Sequence, residues 1–107
     1  MKKRENVVIF ITTGTDEEAH KVAKALLNNR LAACVNIIPK INSLFWWNGK
    51  LDSAQESLLL VKSKASVLHE IVTLVKEIHS NEIPEIVALP IVGGNPDYLD
   101  WISREVK

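Results

Sequence analysis

The sequence predicts an α+β fold, a four-stranded antiparallel sheet with two helices on one face, and three observations in its 107 residues predict it. Apolar residues recur at helical spacing in two stretches, 14–29 and 66–80. Short β-branched runs stand before the first and after the second, at 6–13 and 83–92. Between the helices lie two long extended arms joined at Asn48-Gly49, the pair best suited to the positive φ angles of a type I′ hairpin turn.

Taken in order, NVVIFITT at 6–13 has no polar interruption and predicts a central strand covered on both faces. Thr15 stands three residues before Glu18, a capping box that satisfies the first free amides of a helix. Ala19, Val22, Ala23, Leu26 and Leu27 share one face of that helix, with Glu17, Lys21, Lys24 and Asn28 opposite. In the first arm, 31–47, Asn36, Lys40 and Asn42 occupy one parity, which Leu44 and Trp46 then take over. This phase flip, with Pro39 inside the strand, predicts a bulge or a change in what covers that face. The second arm runs over 48–62. The second helix buries Leu68, Ile71, Val72, Val75 and Ile78 and must stop before Pro84, which drives the residue ahead of it out of helical conformation. Ile86, Val87 and Leu89 then continue into the core as the fourth strand. Asn95 as N-cap, Pro96 at the first helical position and an apolar face of Leu99, Ile102 and Val106 give a short C-terminal helix. The order is a split βαββαβ unit, a ferredoxin-like sandwich with a long β-hairpin added. No linker, repeat or low-complexity segment interrupts it, so 1–107 reads as a single domain.

Thirteen acids balance thirteen bases, and 47% of the residues are hydrophobic, which describes a globular chain able to enclose its own core. The lysines are scattered among acids rather than gathered in a stripe, which argues against a nucleic-acid partner. The start MKKRENVVIFITTG carries positive charge, but its apolar run is shorter than a signal-peptide core, and no run approaches the roughly 20 residues of a membrane span. A single cysteine, Cys34, expected to be a buried small hydrophobe, agrees with a reducing compartment. The expectation is a cytoplasmic protein with no membrane partner.

Each arm of the hairpin is about twice the usual five or six residues, so the hairpin overhangs its sheet. Its tip carries Phe45, Trp46 and Trp47, which the two helices cannot reach. Either the aromatics fold back onto the third helix, or another copy of the chain covers them; the second arrangement is favoured, with ribbon edges pairing between subunits.

At this point the residues resemble the CutA family of divalent-cation tolerance proteins. The likeness rests on RLAACVNIIP, SLFWWNGKL, IPEIVALP after a helix-terminal histidine, and NPDYLDWI, in that order along nearly the whole chain. It implies a ferredoxin-like protomer in a tight homotrimer, a cytoplasmic location, and a role in tolerance to divalent metals, copper above all. Family members that bind copper are thought to use a cysteine at the end of the first strand, a histidine at the end of the second helix and the glutamate of a Pro-Glu pair. The last two fall on His79 and Glu85; the first falls on Ile11, which cannot ligate, and Glu82 stands nearby as a further carboxylate. The metal expected is a weakly held divalent ion, copper or zinc, at His79, Glu85 and Glu82.

For His79 alone, a partly exposed imidazole in the last helical turn, stabilised by the helix dipole, explains the residue equally well. His20 and His69 are expected to face solvent without function. The trimer of this family also resembles the PII signalling proteins, which implies a rival role: binding a small anionic ligand in a cleft between subunits. Trp47, Lys50, Tyr98 and Trp101 are the expected lining, together with the Gly-Gly turn before the third helix. No nucleophile stands beside a base, and the arginine-bearing phosphate loop of an acylphosphatase is missing, so the chain is not expected to be an enzyme.

Overall fold

The computed structural model describes residues 5–107; the basic start of the chain, residues 1–4, lies outside the described residues. The elements are β1 (Asn6–Thr13), α1 (Asp16–Asn28), β2 (Cys34–Trp47), β3 (Lys50–Lys64), α2 (Leu68–Ile78), β4 (Ile86–Pro90) and α3 (Pro96–Glu105). One turn of 3₁₀ helix, Ala65–Val67, leads into α2, so the regular helix starts later than its apolar pattern suggests. The four strands form one antiparallel sheet in the order β2-β3-β1-β4, the ferredoxin-like arrangement expected.

Alternation along β1 divides the sheet into two unlike faces. Ile9, Ile11 and Thr13 are fully buried and face the helices, where Val22, Leu26, Ile71, Val75 and Ile102 complete the core. Val8 and Phe10 point the other way and are only half-buried, so the expectation of a strand covered on both faces is corrected. On that open face, Ile38, Val87 and Leu89 are 42%, 49% and 43% exposed. In β4 only Ile86 and Ala88 pack on the core; Val87 and Leu89, expected inside, have the wrong parity. Leu27 also misses the core, because Leu26 and Ala23 already fill the face of α1 that meets the sheet. Cys34 is only half-buried, since it opens β2 at the end of the sheet rather than lying within it.

The hairpin closes at Asn48 and Gly49, with φ of 52° and 76°, the left-handed pair that a type I′ turn requires. β1 pairs with β3 only from Ser57 to Lys64, so 41–47 and 50–56 run on as a two-stranded ribbon. The 14 residues of β2, at about 3.3 Å each, account for the 47 Å long axis of the molecule. The ribbon does not fold back onto α3. Leu44, Trp46 and Leu51 stand on one side of it, 71%, 74% and 63% exposed.

The bulge falls where the phase flip indicates. Ile38 pairs with Leu58 but Ile41 with Glu56, leaving Pro39 and Lys40 opposite a single step of β3, with Lys40 at a φ of 60°. Pro39 costs no ladder bond at such a place. The extra residue reverses the parity of β2. Beyond it Phe45 and Trp47 lie on the open-face side, together with Asp52 and Glu56 of β3, while Asn42, Leu44 and Trp46 turn to the helix side.

Candidate functional site

His79 is the C-cap of α2, where ψ turns to 142° and the chain leaves the helix. Its side chain is fully buried, which corrects the expectation of a partly exposed ring. Nε2 lies 2.7 Å from the Thr12 carbonyl at the end of β1, and the Asn81 backbone N–H donates to Nδ1 at 3.0 Å. A carbonyl can only accept, so Nε2 carries the hydrogen and Nδ1 the lone pair. Both ring nitrogens are therefore engaged, and the neutral imidazole ties the last turn of α2 to the end of β1 and fixes the start of the following loop.

Glu18 reinforces the same corner. Thr15 accepts from the Glu18 amide as the capping box predicts, but the Glu18 carboxylate reaches past the cap to other donors. It accepts from the Gly14 N–H at 3.2 Å, the Ser80 N–H at 2.7 Å and the Ser80 hydroxyl at 3.1 Å, and lies 4.0 Å from His79 Nδ1. Partial burial pushes this carboxyl up, but the bonds from Ser80 and Gly14 outweigh it and hold it below its ordinary value. Sequence inspection did not anticipate this bridge, because Ser80 and Glu18 are 62 residues apart.

Glu82 and Glu85 are exposed on the loop after His79 and at the start of β4. They line a groove of about 840 Å³ between that loop and the ribbon, shared with Thr12, Trp47, Asp52 and Glu56 and, from the other side of the ribbon, with Leu44 and Trp46. His79 lies behind the groove and is not part of its lining. Among the described residues no three His, Cys, Asp or Glu side chains gather closely enough to hold one metal ion. The expected donors thus do not fit a closed metal centre within one protomer. Ile11, with its side chain in the core, points away from the groove; the β1 residue that opens on it is the next one, Thr12. The period-two alternation of β1 carried that information.

The residues expected to line a cleft divide into two sets. Trp47 and Lys50 are cross-strand partners at the hairpin tip. Tyr98 and Trp101 stack on α3 with centroids 5.6 Å apart, beside Cys34 at the opposite end of β2. Burial first, and then the Cys34 thiol, push the Tyr98 hydroxyl pKa up. Within one protomer the two sets do not meet. His20 and His69 are exposed, as expected. No helix among the described residues is long and apolar enough to cross a membrane.

The profile of a family described as "CutA1 divalent ion tolerance protein" matches residues 7–105. The "Divalent-cation tolerance protein CutA" of Thermus thermophilus is 47% identical over 97 residues, which are 91% of this chain and 94% of that protein. Its counterpart in Archaeoglobus fulgidus is 46% identical over 99 residues, 92% of this chain and 96% of the relative. The rice "Protein CutA 1, chloroplastic" is 38% identical over 95% of this chain, but the chain spans only 58% of that protein's length. In three dimensions the solved Thermus protein superposes with a TM-score of 0.94 at 44% identity, covering 95% of this chain and 99% of that one. The rice CutA1 crystal structure gives 0.93 at 38% identity, covering 96% and 94%. With the sheet order, the long hairpin and nearly the full sequence in agreement, the chain belongs to the CutA1 divalent ion tolerance family.

Proposed function

We propose that this protein acts in divalent-cation tolerance as a non-catalytic, metal-responsive homotrimer of the cytoplasm. The observation that carries the assembly is the ribbon beyond Ser57. Leu44, Trp46 and Leu51 stand on the helix side of it with no helix above them, and the opposite, open sheet face is apolar as well through Ile38, Val87 and Leu89. A sheet face this apolar is stable only when another layer covers it, and a ribbon of two strands is marginal by itself. A second copy supplies both requirements at once. The half-buried free thiol of Cys34 agrees with a reducing compartment.

The metal reading is narrower. Copper or zinc would meet the exposed carboxylates of Glu82 and Glu85, while His79 joins only by releasing the Asn81 N–H from Nδ1. Binding is accordingly weak and its donors mostly oxygen. The rival role, a small anion held between subunits, gains nothing from the groove at Trp47, whose charged lining is entirely carboxylate. Sedimentation equilibrium at micromolar subunit concentration tests the assembly, and calorimetric titration with Cu(II) and Zn(II) tests the metal. A monomer in the first overturns the oligomeric reading. Equal metal affinity in wild type and Glu82→Gln/Glu85→Gln overturns the carboxylate site.

A further inference from the structure

We propose that Asn48 is a site of spontaneous covalent modification, converting in the folded protein to aspartate and isoaspartate by attack of the neighbouring Gly49 amide. The bond formed joins the Gly49 nitrogen to the side-chain carbonyl carbon of Asn48. The Gly49 N–H proton and the Asn48 amide nitrogen leave together as ammonia. One water then opens the cyclic imide at either carbonyl, which gives aspartate, or an isoaspartate whose main chain runs through the former side chain. No oxidant, enzyme or cofactor enters. Both reacting groups belong to adjacent residues, so copies that cover the sides of the ribbon neither supply nor remove a reactant.

The hairpin turn favours the reaction on several counts. No other asparagine in the chain is followed by glycine, and glycine has no Cβ to hinder its own nitrogen. Both residues are exposed, and no atom beyond the chain neighbours lies within 4 Å of the place a Cβ on Gly49 would take. Gly49 stands between the strands, and its N–H donates to no backbone carbonyl among the described residues. The proton that must be lost is therefore not held in the ladder. The turn also lies beyond the last cross-strand pair, Trp47 with Lys50, at a loop tip that opens before the sheet does. The geometry that permits the reaction does not survive its isoaspartate product. A two-residue type I′ loop is fixed in length, and isoaspartate lengthens the main chain between Trp47 and Gly49 by one carbon. The pair of Trp47 with Lys50 is then released, and the aromatic tip loses the register that sorts its two sides.

The test is incubation of the full chain, in whatever assembly it forms, for several days in mildly alkaline buffer. Fragment mass spectrometry of the tryptic peptide Ile41–Lys50 follows the conversion, with labelling by an isoaspartyl O-methyltransferase as a second readout. That peptide carries its own control, because Asn42 is also exposed but sits inside the ladder and precedes Ser43. Conversion at Asn48 is expected to be faster than at Asn42 by about tenfold or more. Tryptophan fluorescence should drift as isoaspartate accumulates. It should stay constant in Asn48→Gly, which suits the same turn but has no side-chain amide to lose. Freshly prepared Asn48→Asp should match fresh wild type, because the charge alone leaves the main chain unaltered. Conversion at Asn48 no faster than at Asn42, an equal drift in Asn48→Gly, or a fresh Asn48→Asp spectrum already equal to that of aged wild type would each overturn the proposal.

Discussion

Replacing His79 by Ala separates a structural clamp from a metal ligand more sharply than any other single change. The ring is fully buried and holds two backbone groups, the Thr12 carbonyl at 2.7 Å and the Asn81 N–H at 3.0 Å. Each lost hydrogen bond costs about 1 kcal/mol, and a buried partner left unpaired costs more. The cavity left by a buried ring adds about 2 kcal/mol. The expected loss is therefore about 3–5 kcal/mol, a large part of the roughly 5–15 kcal/mol that a domain of this kind possesses. Urea unfolding of both proteins at one fixed subunit concentration measures it, since the stability of an assembly depends on concentration. His79→Gln, which keeps an amide donor and acceptor, should recover about 1 kcal/mol of the loss. A loss below about 1 kcal/mol in His79→Ala would refute the clamp, since neither bond nor cavity could then be contributing as the geometry requires.

Trp46→Ala should weaken self-association by about 3 kcal/mol per buried ring, read as a shift toward smaller species in sedimentation; an unchanged distribution would place that side of the ribbon in solvent. Glu18 has a folded pKa below its unfolded value, so its stabilising contribution is complete above the ordinary glutamate range and disappears as pH falls through the folded value. The acid limb of the stability curve should accordingly flatten in Glu18→Gln, and an identical limb would show that Ser80 and Gly14 do not hold the charge. A thiolate introduced by Thr12→Cys should tighten Cu(I) binding at least tenfold by competition with a chromophoric chelator, whereas Ile11→Cys, buried in the core, should not. The reverse order would mean that the parity assigned to β1 is wrong.

The frame of the fold was legible because each part of it has a local cause. Helical periodicity, the Asn48-Gly49 turn, the Thr15 and Asn95 caps and the Pro39 bulge all act within a few residues, and all appear where the sequence puts them. Burial in β4 was misread because Val87 and Leu89 are as apolar as the core residues beside them; only register decides which face meets the helices. The site was less legible for a similar reason. His79 and Glu85 are visible as metal-binding residue types, but Thr12 and Asn81 engage His79 through their backbones, which no side-chain pattern records. The partnership of Glu18 with Ser80 depends on α1 beginning at the corner of the sheet where α2 ends.

The extra residue at Pro39-Lys40 also makes this protein unequally tolerant of different genetic lesions. Exchanging either side chain leaves the pairing frame intact, and Lys40→Gly even suits the φ of 60°. Loss of one codon here is borne in the same way. With either residue gone, Ile38 would still pair with Leu58 and Ile41 with Glu56, a single residue now opposing Ser57, so Phe45 and Trp47 would stay on the side of Asp52 and Glu56. A codon lost between Ile41 and the Asn48-Gly49 turn is another matter: with the turn fixed, the residues between the lesion and Pro39 would each exchange one side of the ribbon for the other. The strand should therefore accept a change of length at the bulge and resist it toward the tip.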